Sequence, residues 1–155
     1  MKKWIVLFSL SLFMTFEITA QNITQKDGIY YSDNKPYTGT YTSVDANGKK
    51  KSTINIVEGK ANGAVTYYYE NGNVMESGAF VNDEKSGEWT RWDEAGHKIA
   101  QAFYVMGKKN GTWLIWDMNG TKRYEMNYVM GEKTGVWRMW DEKGNLSNEK
   151  SYSAI

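Results

Sequence analysis

The side chains that could act as acids, bases or nucleophiles are few in this 155-residue sequence. His97 is its one histidine, and no serine, carboxylate or cysteine is placed to work with it as a catalytic pair. Glu125 and Glu149 are 24 residues apart, which is roughly 10 Å across two strand spacings if each unit of that length is a hairpin. That separation is too long for most paired-carboxylate chemistry. We therefore predict a protein that is not an enzyme and has no catalytic residues.

Metal and cofactor binding have as little support. Aspartates begin several glycine-containing turns, as in residues 117–120, and resemble the start of a calcium loop. No glutamate follows at the position where such a loop needs its bidentate ligand. The sequence also has no cysteine, which excludes disulfides, thiolate metal sites and thiol nucleophiles. We expect no metal site and no cofactor, and we interpret the aspartates as turn-capping residues.

Ring stacking is the chemistry that remains, because tryptophan is abundant and regularly spaced. Residues 111–120 read GTWLIWDMNG, and similar segments occur 24 residues earlier, at 87–96, and 24 residues later, at 135–144. Tryptophans in such a pattern either hold neighbouring strands together or form a surface on which sugar rings or a partner peptide can stack. The choice between these roles depends on the elements that carry them.

A fixed 24-residue period indicates a repeat architecture. Glycines at the same phase extend the period back to Gly39, so residues 39–155 hold about five units. In each unit, segments rich in tryptophan, tyrosine, valine and threonine alternate with two glycine-containing turns, a pattern typical of β-hairpins. The predicted fold is all-β, an elongated single-layer antiparallel meander of about five 24-residue β-hairpin repeats. Residues 21–38 break the phase and are predicted to form an N-terminal cap segment.

The two turns differ in composition. In the first, exemplified by residues 93–96, an aspartate can accept hydrogen bonds from the following amides and a glycine takes a positive φ. The second is predicted between paired glycines, at residues 107–111 and 131–135. Symmetric pairing about both turns would place the aromatic side chains of successive strands directly opposite one another.

This pairing predicts two rows of side chains. One is an unbroken aromatic row that stabilises strand register, consisting of Trp89, Tyr104, Trp113, Tyr128, Trp137 and Tyr152. The other alternates tryptophan with polar side chains, in the order Trp92, Gln101, Trp116, Glu125, Trp140 and Glu149. Since Trp113 and Trp116 are three residues apart, they point to opposite faces of a regular strand, unless a bulge brings them together. We interpret the first row as structural. A ligand or partner is predicted on the second row, at Trp92, Trp116, Trp140, Gln101 and Glu125.

The N-terminal 20 residues are predicted to be a secretory signal peptide, with Lys2 and Lys3 before an apolar stretch that ends at Glu17. Cleavage would remove two of 19 basic and one of 18 acidic side chains, which leaves a net charge of zero. Neutrality argues against nucleic acid and anionic membrane surfaces as partners. The mature chain is expected in the periplasm or secreted, without membrane insertion.

The unit at residues 111–135, with Glu125, Tyr128 and Gly131, resembles the bacterial variant of the MORN repeat. The resemblance implies a twisted sheet of β-hairpins with a role in binding or scaffolding. Many bacterial relatives are described as YwqK-type antitoxins, and MORN arrays have been linked to protein partners, self-association and lipids.

Three functional hypotheses follow from the repeat architecture and from the expectation that the protein has no catalytic residues. The leading one is an exported, non-catalytic repeat protein that binds a protein partner. The second is a glycan-binding module that uses an exposed tryptophan row, and the third is an antitoxin or immunity-type protein. Open edge strands also leave self-association as an option.

Overall fold

The computed structural model describes residues 22–153, and their regular elements are all β-strands. The predicted signal peptide, residues 1–20, lies outside the described residues. The strands are β1 Ile23–Lys26, β2 Ile29–Ser32, β3 Lys35–Pro36, β4 Gly39–Val44, β5 Lys50–Val57, β6 Lys60–Tyr68, β7 Val74–Val81, β8 Glu84–Trp92, β9 Lys98–Val105, β10 Lys108–Lys109, β11 Gly111–Trp116, β12 Lys122–Val129, β13 Glu132–Trp140 and β14 Leu146–Tyr152.

Strands β4 to β14 form one open antiparallel sheet in which sequence neighbours are spatial neighbours. Its order is β14-β13-β12-β11-β9-β8-β7-β6-β5-β4, and the short β10 pairs with β9. Strands β1 to β3 form a separate three-stranded sheet. The predicted all-β meander of hairpin repeats is confirmed. None of residues 22–153 forms a helix that is long and apolar enough to span a membrane.

The first turn of each hairpin follows the predicted chemistry. Asp93 Oδ1 accepts hydrogen bonds from the backbone N–H groups of Ala95 and His97, at 3.0 and 2.8 Å. Gly96 closes the turn with a φ of 90°, a conformation that a glycine adopts without steric cost. The same aspartate contacts recur at Asp45, Asp117 and Asp141.

The second turn is shorter than predicted, and the predicted turn at residues 107–111 is wrong. Its tip consists of two residues, Met106 and Gly107, which both have positive φ, and pairing resumes at once between Lys108 and Val105. Two-residue turns of this kind match the right-handed twist of the flanking strands. Gly111, with a φ of 66°, instead lies at the start of β11.

The pairing across the first turn is likewise shifted, by two residues from the predicted one. Trp89 is directly opposite Ala102, whereas Tyr104 is opposite Gly87. A shift of two residues keeps every side chain on its predicted face, because side chains alternate along a strand. Each hairpin also has one extra residue after its first turn, such as Ile99 between the partners of Arg91 and Trp92. This bulge changes the orientation of the residue pair next to the first turn, such as Trp92 and Lys98, relative to the other pairs of the hairpin.

The most deeply buried core lies at the N-terminal end of the array. Tyr37, Ile56 and Ala61 form a cluster, and side chains from β1 and β2 pack against it. The Tyr30 N–H donates to the Gly59 carbonyl at 2.9 Å, and this bond joins β2 to the turn between β5 and β6. One face of the first repeats is therefore covered by the N-terminal strands.

Candidate functional site

The rings of the predicted structural row are neighbours on one face of the sheet. From Trp89 to Tyr152, their centroids follow one another at 6.2, 5.1, 5.4, 5.1 and 4.9 Å. They reach each other along diagonals of the ladder because directly opposed positions hold other residues, such as Lys150 opposite Trp137. Aromatic side chains are long enough to make such diagonal contacts. We call this set, Trp89, Tyr104, Trp113, Tyr128, Trp137 and Tyr152, the aromatic row.

The three tryptophans of the aromatic row are each fixed by a backbone hydrogen bond. Their indole N–H groups donate to carbonyls 10 residues earlier in the chain, those of Ala79, Phe103 and Asn127, at 3.2, 3.0 and 2.9 Å. Trp89 is the most buried of them, with 2% of its surface exposed. It lies against Gly78, where a Cβ atom would overlap the indole ring. These tryptophans are held within the sheet structure itself.

Lysines from the strands that follow the second turns lie over the aromatic row. Their Nζ atoms are 3.6 Å from the ring centroid of Trp89, 4.4 Å from that of Trp113 and 4.6 Å from that of Trp137, and they belong to Lys85, Lys109 and Lys133. Contacts of this kind are favourable by roughly 0.5–1 kcal/mol at exposed sites. Burial, with a smaller contribution from Glu76, raises the pKa of the Tyr104 hydroxyl.

The opposite face carries the tryptophans for which binding is predicted, but their neighbours differ from the prediction. Trp92 is opposite Lys98, and Trp116 is opposite Lys122. The predicted pairing with Gln101 and Glu125 is wrong. Both residues are opposite Leu114, and Gln101 is also opposite Thr90. Because the first turn is short and is followed by a bulge, each lysine lies opposite the tryptophan for which Gln101 or Glu125 is predicted.

Each lysine also contacts the next tryptophan along the sheet. Lys98 Nζ is 4.8 Å from the ring centroid of Trp116, and Lys122 Nζ is 4.1 Å from that of Trp140. Tryptophans and lysines therefore alternate across five neighbouring strands, β8, β9, β11, β12 and β13. We call this set, Trp92, Lys98, Trp116, Lys122 and Trp140, the indole ladder. All three of its tryptophans are half-buried.

Gln101 and Glu125 belong to polar networks beside the indole ladder. Lys98 Nζ donates to Gln101 Oε1 at 3.0 Å, and Lys122 Nζ donates to Glu125 Oε2 at 2.8 Å. Arg138 bridges Glu125 and Glu149 at 3.1 and 2.9 Å. The hydrogen bond from Lys122, followed by the contacts from Arg138, holds the pKa of the Glu125 carboxyl below its usual range. The structure thus joins the predicted polar residues to the tryptophans through lysines.

The ladder tryptophans differ from those of the aromatic row in their indole N–H groups. Within residues 22–153, the N–H groups of Trp92, Trp116 and Trp140 have no protein acceptor, and no buried side-chain nitrogen or oxygen lacks a partner. These three N–H groups therefore reach solvent and can donate to a ligand. A half-buried ring with a free donor is a typical anchor at binding surfaces.

His97 has a carboxylate partner, contrary to the expectation from sequence. Its Nδ1 lies 3.1 Å from Asp93 Oδ2, four residues earlier in the same turn. The backbone N–H of His97, ahead of its side chain, lowers the pKa of Asp93. The contact stabilises an exposed turn and contains no nucleophile. Across the described range, no group of three histidine, aspartate or glutamate side chains is arranged to hold a metal ion.

Sequence comparison identifies the repeats. The MORN repeat variant matches residues 61–82 and 133–154. Two regions of the chain are thus recognised as MORN repeats of this variant. The second match contains Trp137 and Trp140, one tryptophan from each face, so the aromatic row and the indole ladder both pass through a recognised MORN unit.

Wider comparisons add little to the MORN assignment. No curated protein matches the sequence. Among solved structures, the chain is similar to one described as the crystal structure of GtfA/B complex bound to UDP and GlcNAc, with 12% identity and a TM-score of 0.29. The alignment covers 85% of this chain and 24% of that one.

The residues that sequence reasoning missed are the two lysines of the indole ladder. Lys98 and Lys122 are 24 residues apart, and Lys50 has the same phase. Lys50 Nζ lies 5.3 Å from the ring centroid of Tyr68, which corresponds to Trp116 two units later. This period was visible in the sequence, but the lysines were assigned no contact because the register of the first turn was misplaced.

Proposed function

We propose that this MORN repeat protein is an exported, non-catalytic module that binds a protein partner through the indole ladder. The observation that supports it best is the contrast between the two faces. The ladder tryptophans keep their N–H groups available, whereas those of the aromatic row are committed to the backbone. A residue needed only for sheet stability does not require a free donor at the surface.

The chemistry around the ladder suits a protein surface. Tryptophan and arginine are enriched among the residues that contribute most to protein–protein binding. Here Trp140 lies two residues from Arg138 on the same strand, and the guanidinium of Arg138 is already oriented by Glu125 and Glu149. Orientation before binding reduces the entropy lost when side chains are fixed in a complex. The lysine and glutamate side chains at the rim add charge of both signs, which favours a partner surface that carries both acidic and basic side chains.

Glycan binding along the whole ladder has less support. A sugar ring stacks on the open face of an indole, but Lys98 and Lys122 lie over Trp116 and Trp140. Trp92 is the exception, because within residues 22–153 no lysine lies over its ring. The antitoxin hypothesis is a special case of protein binding, since it requires a toxin as the partner of the same ladder.

The test is capture of partners from the exported fraction of the producing cell, with variants on each face. Trp116→Ala combined with Trp140→Ala should reduce capture by at least about tenfold, the loss of roughly 1.4 kcal/mol of binding free energy. Lys109→Ala, on the opposite face, is the control and should capture normally. Equal capture by the ladder variant and the control would exclude the ladder as the binding surface.

Two further measurements separate the subsidiary hypotheses. If the captured protein is a toxin that the purified chain inhibits, the antitoxin hypothesis is supported, and a captured protein without toxicity argues against it. The N-terminal residue of the mature protein checks export, for which cleavage after Ala20 predicts Gln21. An uncleaved chain in the cytoplasmic fraction would contradict export.

A further inference from the structure

The indole ladder has one gap. The residue that lies over each ring has the phase of positions 50, 74, 98 and 122, and these are Lys50, Val74, Lys98 and Lys122. Lys50, Lys98 and Lys122 lie over Tyr68, Trp116 and Trp140, respectively. Val74 is opposite Tyr68 and cannot supply an ammonium group to the next ring, Trp92. In the described part of the chain, Trp92 is therefore the ladder tryptophan without a lysine over its ring.

A cavity occupies the space beside Trp92. Its volume is about 470 Å³, and it is lined by Thr66, Asn73, Val74, Ser77, Trp92, Ala95 and Gly96. None of these residues is charged. The cavity lies on the ladder face because Thr66 pairs with Ser77, and Ser77 pairs with Thr90, two residues before Trp92 on the same strand.

The polar groups of this cavity are available for a ligand. Within residues 22–153, the hydroxyls of Thr66 and Ser77 have no protein hydrogen-bond partner, and neither is a buried, unsatisfied group. Asn73 donates through its side-chain nitrogen to the Glu94 carbonyl at 2.8 Å, which orients its side-chain oxygen as a remaining acceptor. The site thus offers one indole ring, two hydroxyls and one amide oxygen without a net charge.

We infer that this cavity is a binding site for a neutral pyranose sugar at the Trp92 end of the ladder, apart from Trp116 and Trp140, on which the protein-partner proposal depends. A pyranose has an apolar C–H face that can stack on Trp92 and a rim of hydroxyls that can both donate and accept hydrogen bonds. The hydroxyls of Thr66 and Ser77 can take either role, and Asn73 Oδ1 can accept. Small-molecule sites commonly combine an apolar surface with a few polar groups of this kind.

The equivalent position one repeat later shows why the site occurs once in the ladder. There, Lys98 replaces Val74 and Gln101 replaces Ser77, and the two are hydrogen-bonded to each other. Gln101 also donates to Glu88 at 2.9 Å. This network satisfies the polar groups internally and covers the ring of Trp116, so it leaves a sugar neither a stacking face nor free partners.

The binding test uses nuclear magnetic resonance of the indole N–H groups in the purified, ¹⁵N-labelled protein. The probes are neutral hexoses, N-acetylhexosamines and their short oligomers. At least one probe should shift the Trp92 signal in a saturable manner while the signals of Trp116 and Trp140 stay in place. If no probe moves the Trp92 signal at millimolar concentration, or if all three ladder signals move alike, the sugar site is refuted.

Two valine-to-lysine substitutions on the same strand provide the matched pair. Val74→Lys restores the lysine found in the neighbouring repeats, so the sheet can accommodate it, and it should weaken binding by at least about tenfold. Val81→Lys adds the same charge at an exposed position outside the cavity lining and should bind as the parent does. Ser77→Ala removes one hydroxyl and should weaken binding about fivefold.

The other indole signals report whether each variant is folded. Unchanged signals from Trp89, Trp113 and Trp137 indicate an intact aromatic row. A folded Val74→Lys protein that binds the sugar as strongly as the parent would overturn the inference. This outcome is distinct from failure of the protein-partner proposal, which depends on Trp116 and Trp140.

Discussion

The two sets of tryptophans have the same spacing in the sequence but different surroundings in the sheet. Trp113 and Trp137 pack between tyrosines, and Trp89 packs between Phe80 and Tyr104. All three donate their N–H groups to backbone carbonyls. Trp92, Trp116 and Trp140 alternate with lysines and leave their N–H groups in solvent. A structural tryptophan and a candidate binding tryptophan are thus distinguished by what contacts the ring and by whether a backbone carbonyl accepts its N–H hydrogen bond. Residue type and repeat period are the same for both sets.

The aromatic row also changes along its length. A glycine, Gly78, lies beneath Trp89, and the residues at the same phase in the next two repeats are Ala102 and Met126. Trp89, which lies over the glycine, is buried, whereas Trp113 and Trp137, which follow larger residues, are half-buried. Trp89 is therefore the best packed of the three tryptophans in the row.

The largest effect should come from removing the buried ring. Trp89→Ala should lower the free energy of unfolding by about 3–5 kcal/mol, because it leaves a cavity and an unpaired Ala79 carbonyl. Trp92→Ala, three residues away on the other face, should cost about 1–2 kcal/mol, because its half-exposed ring buries less apolar surface. Urea unfolding of both variants measures the difference. Similar losses would mean that the two sets are structurally equivalent.

An intermediate effect is expected from filling the space under Trp89. Gly78→Ala should destabilise the protein by about 1–3 kcal/mol, because the added methyl group overlaps the indole ring and forces it to move. Ala102→Gly is the control at the same phase, and should cost only about 0.5–1 kcal/mol through backbone entropy. Thermal unfolding and near-ultraviolet circular dichroism report both changes. A Gly78→Ala protein as stable as the parent would show that Trp89 is loosely packed.

A smaller, pH-dependent effect is expected beside the indole ladder. Because Lys122 and Arg138 lower the pKa of Glu125 in the folded protein, the carboxylate contributes stability above its unfolded pKa of about 4.3. This contribution should be lost as the pH falls through the folded pKa. The stability difference between the parent and Glu125→Gln should therefore shrink below about pH 4.

Titration of the Glu125 carboxyl identifies the cause of that effect. In Lys122→Met, the pKa of Glu125 should rise towards its usual range, because the largest contribution to the lowered pKa is the hydrogen bond from Lys122. Arg138→Met should raise this pKa by a smaller amount. If the Lys122 variant leaves the pKa unchanged, the lysine of the ladder does not bind Glu125 in solution.

Much of the fold could be predicted because a repeat multiplies every local signal. The 24-residue period, the aspartate turns and the alternation of side chains placed each aromatic residue on its correct face. The register across the first turn could not be predicted, because the Asp-to-Gly pattern does not specify that Asp93 pairs with His97. The second turn could not be predicted either, because it places Met106 and Met130 at positive φ, where asparagine or glycine is the usual residue. Nothing in those methionines indicated the tip of a two-residue turn.

The candidate site was predicted less completely than the fold. The tryptophans can be identified from their spacing, but the identity of their neighbours depends on register. A shift of two residues together with the one-residue bulge exchanges lysines for Gln101 and Glu125. The cavity beside Trp92 depends on one residue, Val74, in a position where three other repeats have lysine. The proposed sugar site therefore rests on a departure from the repeat rather than on the repeat itself.

The smallest expected effect involves no change in stability and compares the six indole N–H groups directly. Those of Trp89, Trp113 and Trp137 should exchange with deuterium more slowly than those of Trp92, Trp116 and Trp140, because a hydrogen bond to a backbone carbonyl must open before exchange occurs. Nuclear magnetic resonance resolves the six signals in one experiment. Within the aromatic row, Trp89 should exchange most slowly, since it is also the most buried. Exchange of a ladder indole as slow as that of Trp89 would mean that its N–H group has a partner, and that tryptophan would then lose its assignment as a binding residue.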